Sequence, residues 1–264
     1  HLSLRRQRQM CIRDRVRDIY VSGGTRRETG DRDHEYIETI KISSRPDTHM
    51  RSRNVGFEAG GLKPVTRYYP FFDSTSGIDL VPKLLEITMV SGTFTPGEKV
   101  DVYGDGHQCA NIRICAPNHK GGNINNVETV FNANPYNTSV SLPSNYSASS
   151  DVLNIDIRSL MDDAQGEYWG YIPPSTSTVL VGRSSGAEAR VKSVRLVTDT
   201  FGDLGGAWWF RDPLASPPPP LRFATGTKTF KLSSSGTNSE PLPGSLLISS
   251  AETTYSSNGI VDTY

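Results

Sequence analysis

Apolar and polar residues alternate with the period of a β-strand through much of this chain. The pattern is clearest at Asn111-Ile112-Arg113-Ile114-Cys115, Val152-Leu153-Asn154-Ile155-Asp156-Ile157 and Ala189-Arg190-Val191-Lys192-Ser193-Val194. Residues 84–90 and 92–94 lead into the turn Thr95-Pro96-Gly97-Glu98, and residues 99–103 leave it, which predicts a hairpin. A second hairpin is expected where residues 179–182 and 189–194 flank Arg183-Ser184-Ser185-Gly186-Ala187-Glu188, with Gly186 supplying the positive φ of the turn. Further strands are expected at 54–59, 68–72, 221–232 and 246–264. Another is expected at 36–42, inside a polar, charge-mixed stretch. Pro70 should confine its strand to a sheet edge or a bulge.

Composition agrees with an all-β reading. Only 35% of the 264 residues are hydrophobic, while 24 glycines and 17 prolines supply many turns. No run approaches the ~18 apolar residues that a membrane-spanning helix requires, and the first residues lack the apolar stretch of a secretory signal. A formal net charge of zero argues against a general nucleic-acid binder. Three cysteines do not make a disulfide framework.

Residues 1–15 stand apart. Met10-Cys11-Ile12-Arg13-Asp14 is what ATG TGT ATA AGA GAC encodes, which resembles the end of a transposase-loaded sequencing adapter and reads as an artefact. Without this stretch the basic residues fall from 28 to 23 and the acidic from 28 to 27, a net charge of −4. Residues 16–53 read as a polar linker, and 54–82 as a partial β-sandwich-like segment. Residues 83–200 read as a barrel-like domain with an Asn- and Ser-rich insertion at 120–150. The four prolines at 217–220 favour an extended polyproline spacer, so 201–220 reads as a Trp- and Pro-rich connector. Residues 221–264 read as a β segment that stops without a polar tail, as in a fragment of a longer protein. The expected fold class is linked small β-domains with extended linkers.

Few residues carry candidate chemistry. His107-x-Cys109 and Cys115-x-x-x-His119 hold four potential zinc ligands, and strand periodicity puts 107, 109 and 115 on one face. Yet a straight strand separates the two cysteines by about 20 Å, and no C-x-x-C pair exists, so buried free cysteines are the better reading. No metal or cofactor is expected. Asp162-Asp163 with Glu167 could evoke a glycosidase pair, but adjacent strand residues diverge, and a solvated turn fits better. No G-x-S-x-G elbow or P-loop occurs. Asn137-Thr138-Ser139 and Asn145-Tyr146-Ser147 match the glycosylation pattern without informing function. Trp208-Trp209-Phe210 should send one indole inward and one outward, which makes these residues contact candidates together with Tyr136 and Tyr146 of the insertion.

Several blocks carry resemblances. Gly61-Leu62-x-Pro64-x-Thr66-x-Tyr68 resembles the tyrosine corner of immunoglobulin-like and fibronectin-type sandwiches, where a tyrosine hydroxyl folds back onto the corner backbone. A full sandwich needs about seven strands. Upstream sequence offers too few, which implies a half-domain or another β architecture. VGRSSGAEARV resembles the turn of small β-barrels in phage tail proteins. MRSRNV.F.A.GLKP.TR.Y.FFD and RDP…PP…RF.TGTKTF.L…SSAETTY resemble large virion structural proteins of tailed phages, especially cyanobacterial contractile-tailed phages. The resemblance implies a tail, baseplate or fibre component, made in the bacterial cytoplasm and housed in the virion. Such a protein works through contacts with other virion proteins and with copies of itself rather than through catalysis. A carbohydrate-binding or host-adhesion module is the alternative, with a host-surface glycan as ligand.

Overall fold

A computed structural model describes residues 2–4, 43–104, 106–121, 130–162, 166–214, 219–240 and 248–263. In the first half of the chain the strands are β1 (Leu2–Leu4), β2 (Ser43–Pro46), β3 (Arg53–Ala59), β4 (Arg67–Phe72), β5 (Asp79–Pro82), β6 (Leu84–Ser91), β7 (Lys99–Gly104) and β8 (His107–Arg113). Then come β9 (Val152–Asn154), one helical turn α1 (Ser159–Asp162), β10 (Trp169–Gly170), β11 (Val179–Gly182) and β12 (Glu188–Ser193). The chain closes with β13 (Leu196–Val197), β14 (Leu204–Phe210), β15 (Gly226–Ser233), β16 (Ser250–Ser257) and β17 (Ile260–Thr263). The protein is nearly all β, as its alternating pattern predicts. The expected strand at 36–42 and the first two of the four prolines lie outside the described residues.

Two large cores organise the described strands, beside a small cluster of Leu84, Leu142 and Val152. One fills a curled seven-stranded sheet of order β10-β8-β7-β11-β12-β6-β9, with Leu85, Val102, Ile112, Ile155, Leu180 and Val191 at its centre. The other lies between the sheets β1-β3-β14-β5 and β13-β4-β15-β16 and is dominated by aromatic rings. The curled lobe is therefore inserted between β5 and β13 of a sandwich, and the strands missing upstream of Asn54 arrive from beyond residue 195. That arrangement answers the half-domain expectation: the sandwich is completed from the chain's other end.

Two sequence expectations need correction. Turn Thr95–Glu98 forms, with the Glu98 N–H donating to the Thr95 carbonyl at 3.1 Å, but β6 and β7 are not partners. The β11–β12 hairpin is inserted between them: β11 pairs with β7 and β12 with β6. A turn signal fixes a local reversal, whereas strand partners are chosen by the whole apolar face. Residues 204–210, expected within a connector, form β14, the strand flanked by β3 and β5. Gly205, Gly206 and Ala207 look poor in side chain for a strand, yet these small residues permit close approach on both faces of a central one.

Glu98 explains the Ser184-Ser185 pair. Its carboxylate accepts five hydrogen bonds: the Thr95 N–H at 2.6 Å, the Ser184 N–H and hydroxyl at 3.2 and 2.9 Å, and the Ser185 N–H and hydroxyl at 3.0 and 2.8 Å. One carboxylate thus ties the 95–98 turn to the β11–β12 hairpin, whose Gly186 has φ +66°. Burial alone would raise this carboxyl's pKa, but the donors from Thr95, Ser185 and Ser184 outweigh it and hold the group below its ordinary value. A depressed folded pKa contributes stability that is present above the unfolded value, about 4.3, and is lost as pH falls through the folded one. Glu98→Gln is therefore expected to lose about 2–4 kcal/mol at pH 7 and to flatten the stability–pH profile below pH 4.5. Urea unfolding at pH 3 to 7 checks this; parallel profiles for the two proteins would contradict it.

Candidate functional site

The face of β3, β14 and β5 that turns away from the aromatic core carries Gly56, Ala207 and Val81, then Asn54, Trp209 and Asp79, as cross-strand neighbours. That face seats the curled lobe. A Cβ on Gly56 would fall 2.0 Å from the Met161 sulfur, so α1 presses its methionine into the space a side chain would fill. Asn54 acts as a one-residue strand. Its Nδ2 donates to the Gly170 carbonyl at 2.8 Å, and its Oδ1 accepts the Gly170 N–H at 2.9 Å. Beside it the Trp169 and Trp209 rings lie 6.2 Å apart, tilted by 43°. Arg211 stacks on Tyr171 at 4.1 Å and grips Asp79 with bonds of 2.7 and 3.2 Å. Burial raises the Asp79 carboxyl despite its Arg211 partner.

At the other end of this seam lies a cleft of about 540 Å³, lined by Glu58, Lys83, Lys120, Tyr136, Arg195 and Asp203 among others. It is the natural place to look for chemistry, since ligand sites favour concave junctions. Lys120 is clamped by Asp199 and Asp203, each at 2.6 Å, and Arg195 by Glu86. Tyr136 directs its hydroxyl at the Leu84 and Arg195 carbonyls, 2.5 and 3.0 Å away. Lys83, which sequence reasoning did not single out, is buried. Burial lowers its pKa, and its Nζ donates to the Ile155 carbonyl at 2.9 Å and approaches the Cys115 sulfur at 3.8 Å. Burial pushes the Cys115 thiol up to about 11, so it is held as the unreactive thiol.

Several candidates take other roles in the structure. Trp208 and Phe210 belong to the aromatic core and are not presented for contact, while Trp209 points to the seam. The Tyr146 hydroxyl donates to the Cys115 carbonyl at 2.7 Å and accepts the Asn154 N–H at 3.0 Å. Burial raises both tyrosines of the insertion, Tyr136 and Tyr146. They are corrected from contact residues to anchors that fasten the polar loop 130–150 to the curled sheet. Polar composition hid them, because the same ring serves a loop anchor and a partner contact equally well.

At the corner, the Tyr68 hydroxyl accepts the Lys63 N–H at 3.0 Å. Leu62 is buried beneath it, and Pro64 stands exposed at the turn. Thr198 completes the corner, donating to the Lys63 carbonyl at 2.7 Å and accepting the Thr66 N–H at 3.0 Å. Pro70 pairs with Leu232 of β15 on one side and lies past the end of β13 on the other.

The four zinc candidates are not brought together. Cys109 faces His107, 3.6 Å from its Nε2; Cys115 lies past the end of β8 beside Lys83; and His119 is buried at the start of the insertion. Among the described residues no group of three His, Cys, Asp or Glu side chains is placed to hold a metal ion. Asp162 ends the helical turn α1 rather than lying on a strand, Asp163 is outside the described residues, and Glu167 pairs with Lys99. No helix among the described residues is long and apolar enough to cross a membrane. Comparison with protein-family models, curated proteins and solved structures finds no match.

Proposed function

We propose that this protein is a structural component of a phage virion, placed in the tail, baseplate or fibre apparatus and working by protein–protein assembly without catalysis. The observation that carries the reading is how the reactive side chains are spent. Lys83, Glu86, Glu98, Lys120, Arg195 and Arg211 all bond within the chain, and each bond joins one segment of the fold to another. An enzyme leaves some such groups facing a substrate. The resemblance of the 50–73 and 211–255 blocks to virion structural proteins supplies the setting. Neighbouring tail or baseplate genes in the encoding DNA are expected; a metabolic operon around the gene would contradict the proposal.

The alternative, glycan binding, finds its best support at the seam, where Trp169 and Trp209 are only part-buried. Trp208 cannot serve it, because its ring is enclosed. A glycan array with wild type, Trp169→Ala and Trp209→Ala separates the readings. The assembly proposal expects no saccharide signal that these substitutions abolish. Such a signal would replace it with host adhesion.

A further inference from the structure

Among the described residues, every sheet edge but one is made by a strand of two to four residues: β1, β2, β5, β9, β10, β13 and β17. Short edges are how β-proteins avoid unwanted pairing. The exception is β16, eight residues long and last in its sheet. It pairs with β15 over residues 250–257 without a register shift, so no bulge twists it away. Its sequence, Ser-Ala-Glu-Thr-Thr-Tyr-Ser-Ser, has no proline, no lysine and a single charge. Among the described residues the proline, lysine and bulge that normally blunt an edge are missing here, and the strand that lies beside it across the sandwich is the three-residue β1.

The phase of its ladder is fixed. The Ser234 N–H donates to the Ser249 carbonyl at 2.9 Å, so residues 249, 251, 253, 255 and 257 turn their backbone groups to β15. Ser250, Glu252, Thr254 and Ser256 therefore turn theirs outward. The Asp73 N–H bond to the Thr229 carbonyl at 2.8 Å, on the opposite side of β15, gives the same phase.

We propose that β16 pairs antiparallel with β16 of a second copy of this chain, joining two sandwiches through one continuous sheet. A two-fold axis at Thr253 brings the outward residues into register, Ser250 against Ser256 and Glu252 against Thr254 of the other copy. Every outward N–H then meets a carbonyl, and the single carboxylate meets a hydroxyl rather than its own twin. An edge that is nearly neutral and matches itself under a two-fold axis needs no foreign partner. The proposal deepens the assembly reading by naming one contact. A monomeric protein would remove this contact and leave assembly with other virion proteins to be judged by its own test.

Analytical ultracentrifugation of the full chain over ~1–200 μM, a range in which a contact built mainly of backbone hydrogen bonds should associate, is the experiment. A concentration-dependent dimer is expected. Thr254→Pro removes an outward N–H and no bond to β15, and should raise the dissociation constant about tenfold or more. Thr254→Glu sets a carboxylate against Glu252 of the other copy and should weaken the dimer. Thr254→Lys sets an ammonium there and should preserve or tighten it. Unchanged thermal unfolding at low concentration shows that each variant folds. A wild type that stays monomeric, a Thr254→Pro dimer as tight as wild type, or equal weakening by Glu and Lys overturns the proposal.

Discussion

Truncating Trp208 to alanine is expected to lower folding stability by about 3–5 kcal/mol, the largest loss at any single side chain of the sandwich. Its ring is 1% exposed and meets five others: Phe230 at 4.3 Å, Phe72 at 5.6 Å, Tyr255 at 5.8 Å, Phe57 at 5.9 Å and Phe210 at 6.1 Å. Those rings come from β3, β4, β14, β15 and β16, so one side chain links both sheets and both ends of the chain. No neighbour can collapse into the space without dragging a strand with it, which is why the cavity cost should lie near the top of its range. Trp209→Ala should cost clearly less, because that ring is part-buried at the seam. Denaturant unfolding followed by circular dichroism measures both; equal losses for the two tryptophans would contradict the assigned faces.

Gly170→Ala should be nearly as damaging, about 3–5 kcal/mol, through two independent effects. Gly170 has φ +104°, a region that L side chains rarely adopt. A Cβ there would lie 2.1 Å from the Cys109 carbonyl oxygen and 2.6 Å from the Ala110 Cα, both backbone atoms that cannot swing away. Relief requires β10 to leave β8, which also breaks the Asn54 amide pair that docks the lobes. Gly106→Ala is the control. With φ +81° and open space around its Cβ position, it should cost only about 1 kcal/mol. Limited proteolysis should find a new accessible site near residue 170 in the first variant alone; identical digestion patterns would show that the seam does not depend on this glycine.

Much of the local structure was legible in the sequence. The alternation from Ala189 emerges as a strand through Ser193, with Ala189 and Val191 buried and Arg190 and Lys192 exposed, because period-2 patterning is a direct imprint of one buried face. The corner motif is legible for a similar reason, since its defining Tyr68–Lys63 bond lies within residues 61–68, although Thr198, which completes the corner, is not legible there. Partner choice was not legible. Nothing local in Leu84–Ser91 or Lys99–Gly104 records that another hairpin separates them, and turn Thr95–Glu98 reads the same whichever strand follows. Small residues were equally opaque: Gly56 and Ala207 look like weak strand residues until the facing lobe supplies Met161. Cys109 and Cys115 are buried free cysteines, as read from the sequence, but the strand phase that set 107, 109 and 115 on one face does not reach Cys115, where β8 has already ended and the chain bonds to β9.

The central claim is that this chain is built into a particle, and mass spectrometry of purified particles tests it most directly. Virions from a culture carrying the gene would be banded in a density gradient, stripped of loosely bound protein by high salt and digested. Peptides from residues 53–210 are expected in the particle band, in constant ratio to tail or baseplate proteins across gradient fractions. Their confinement to the soluble cell fraction, with none in the band, would contradict it.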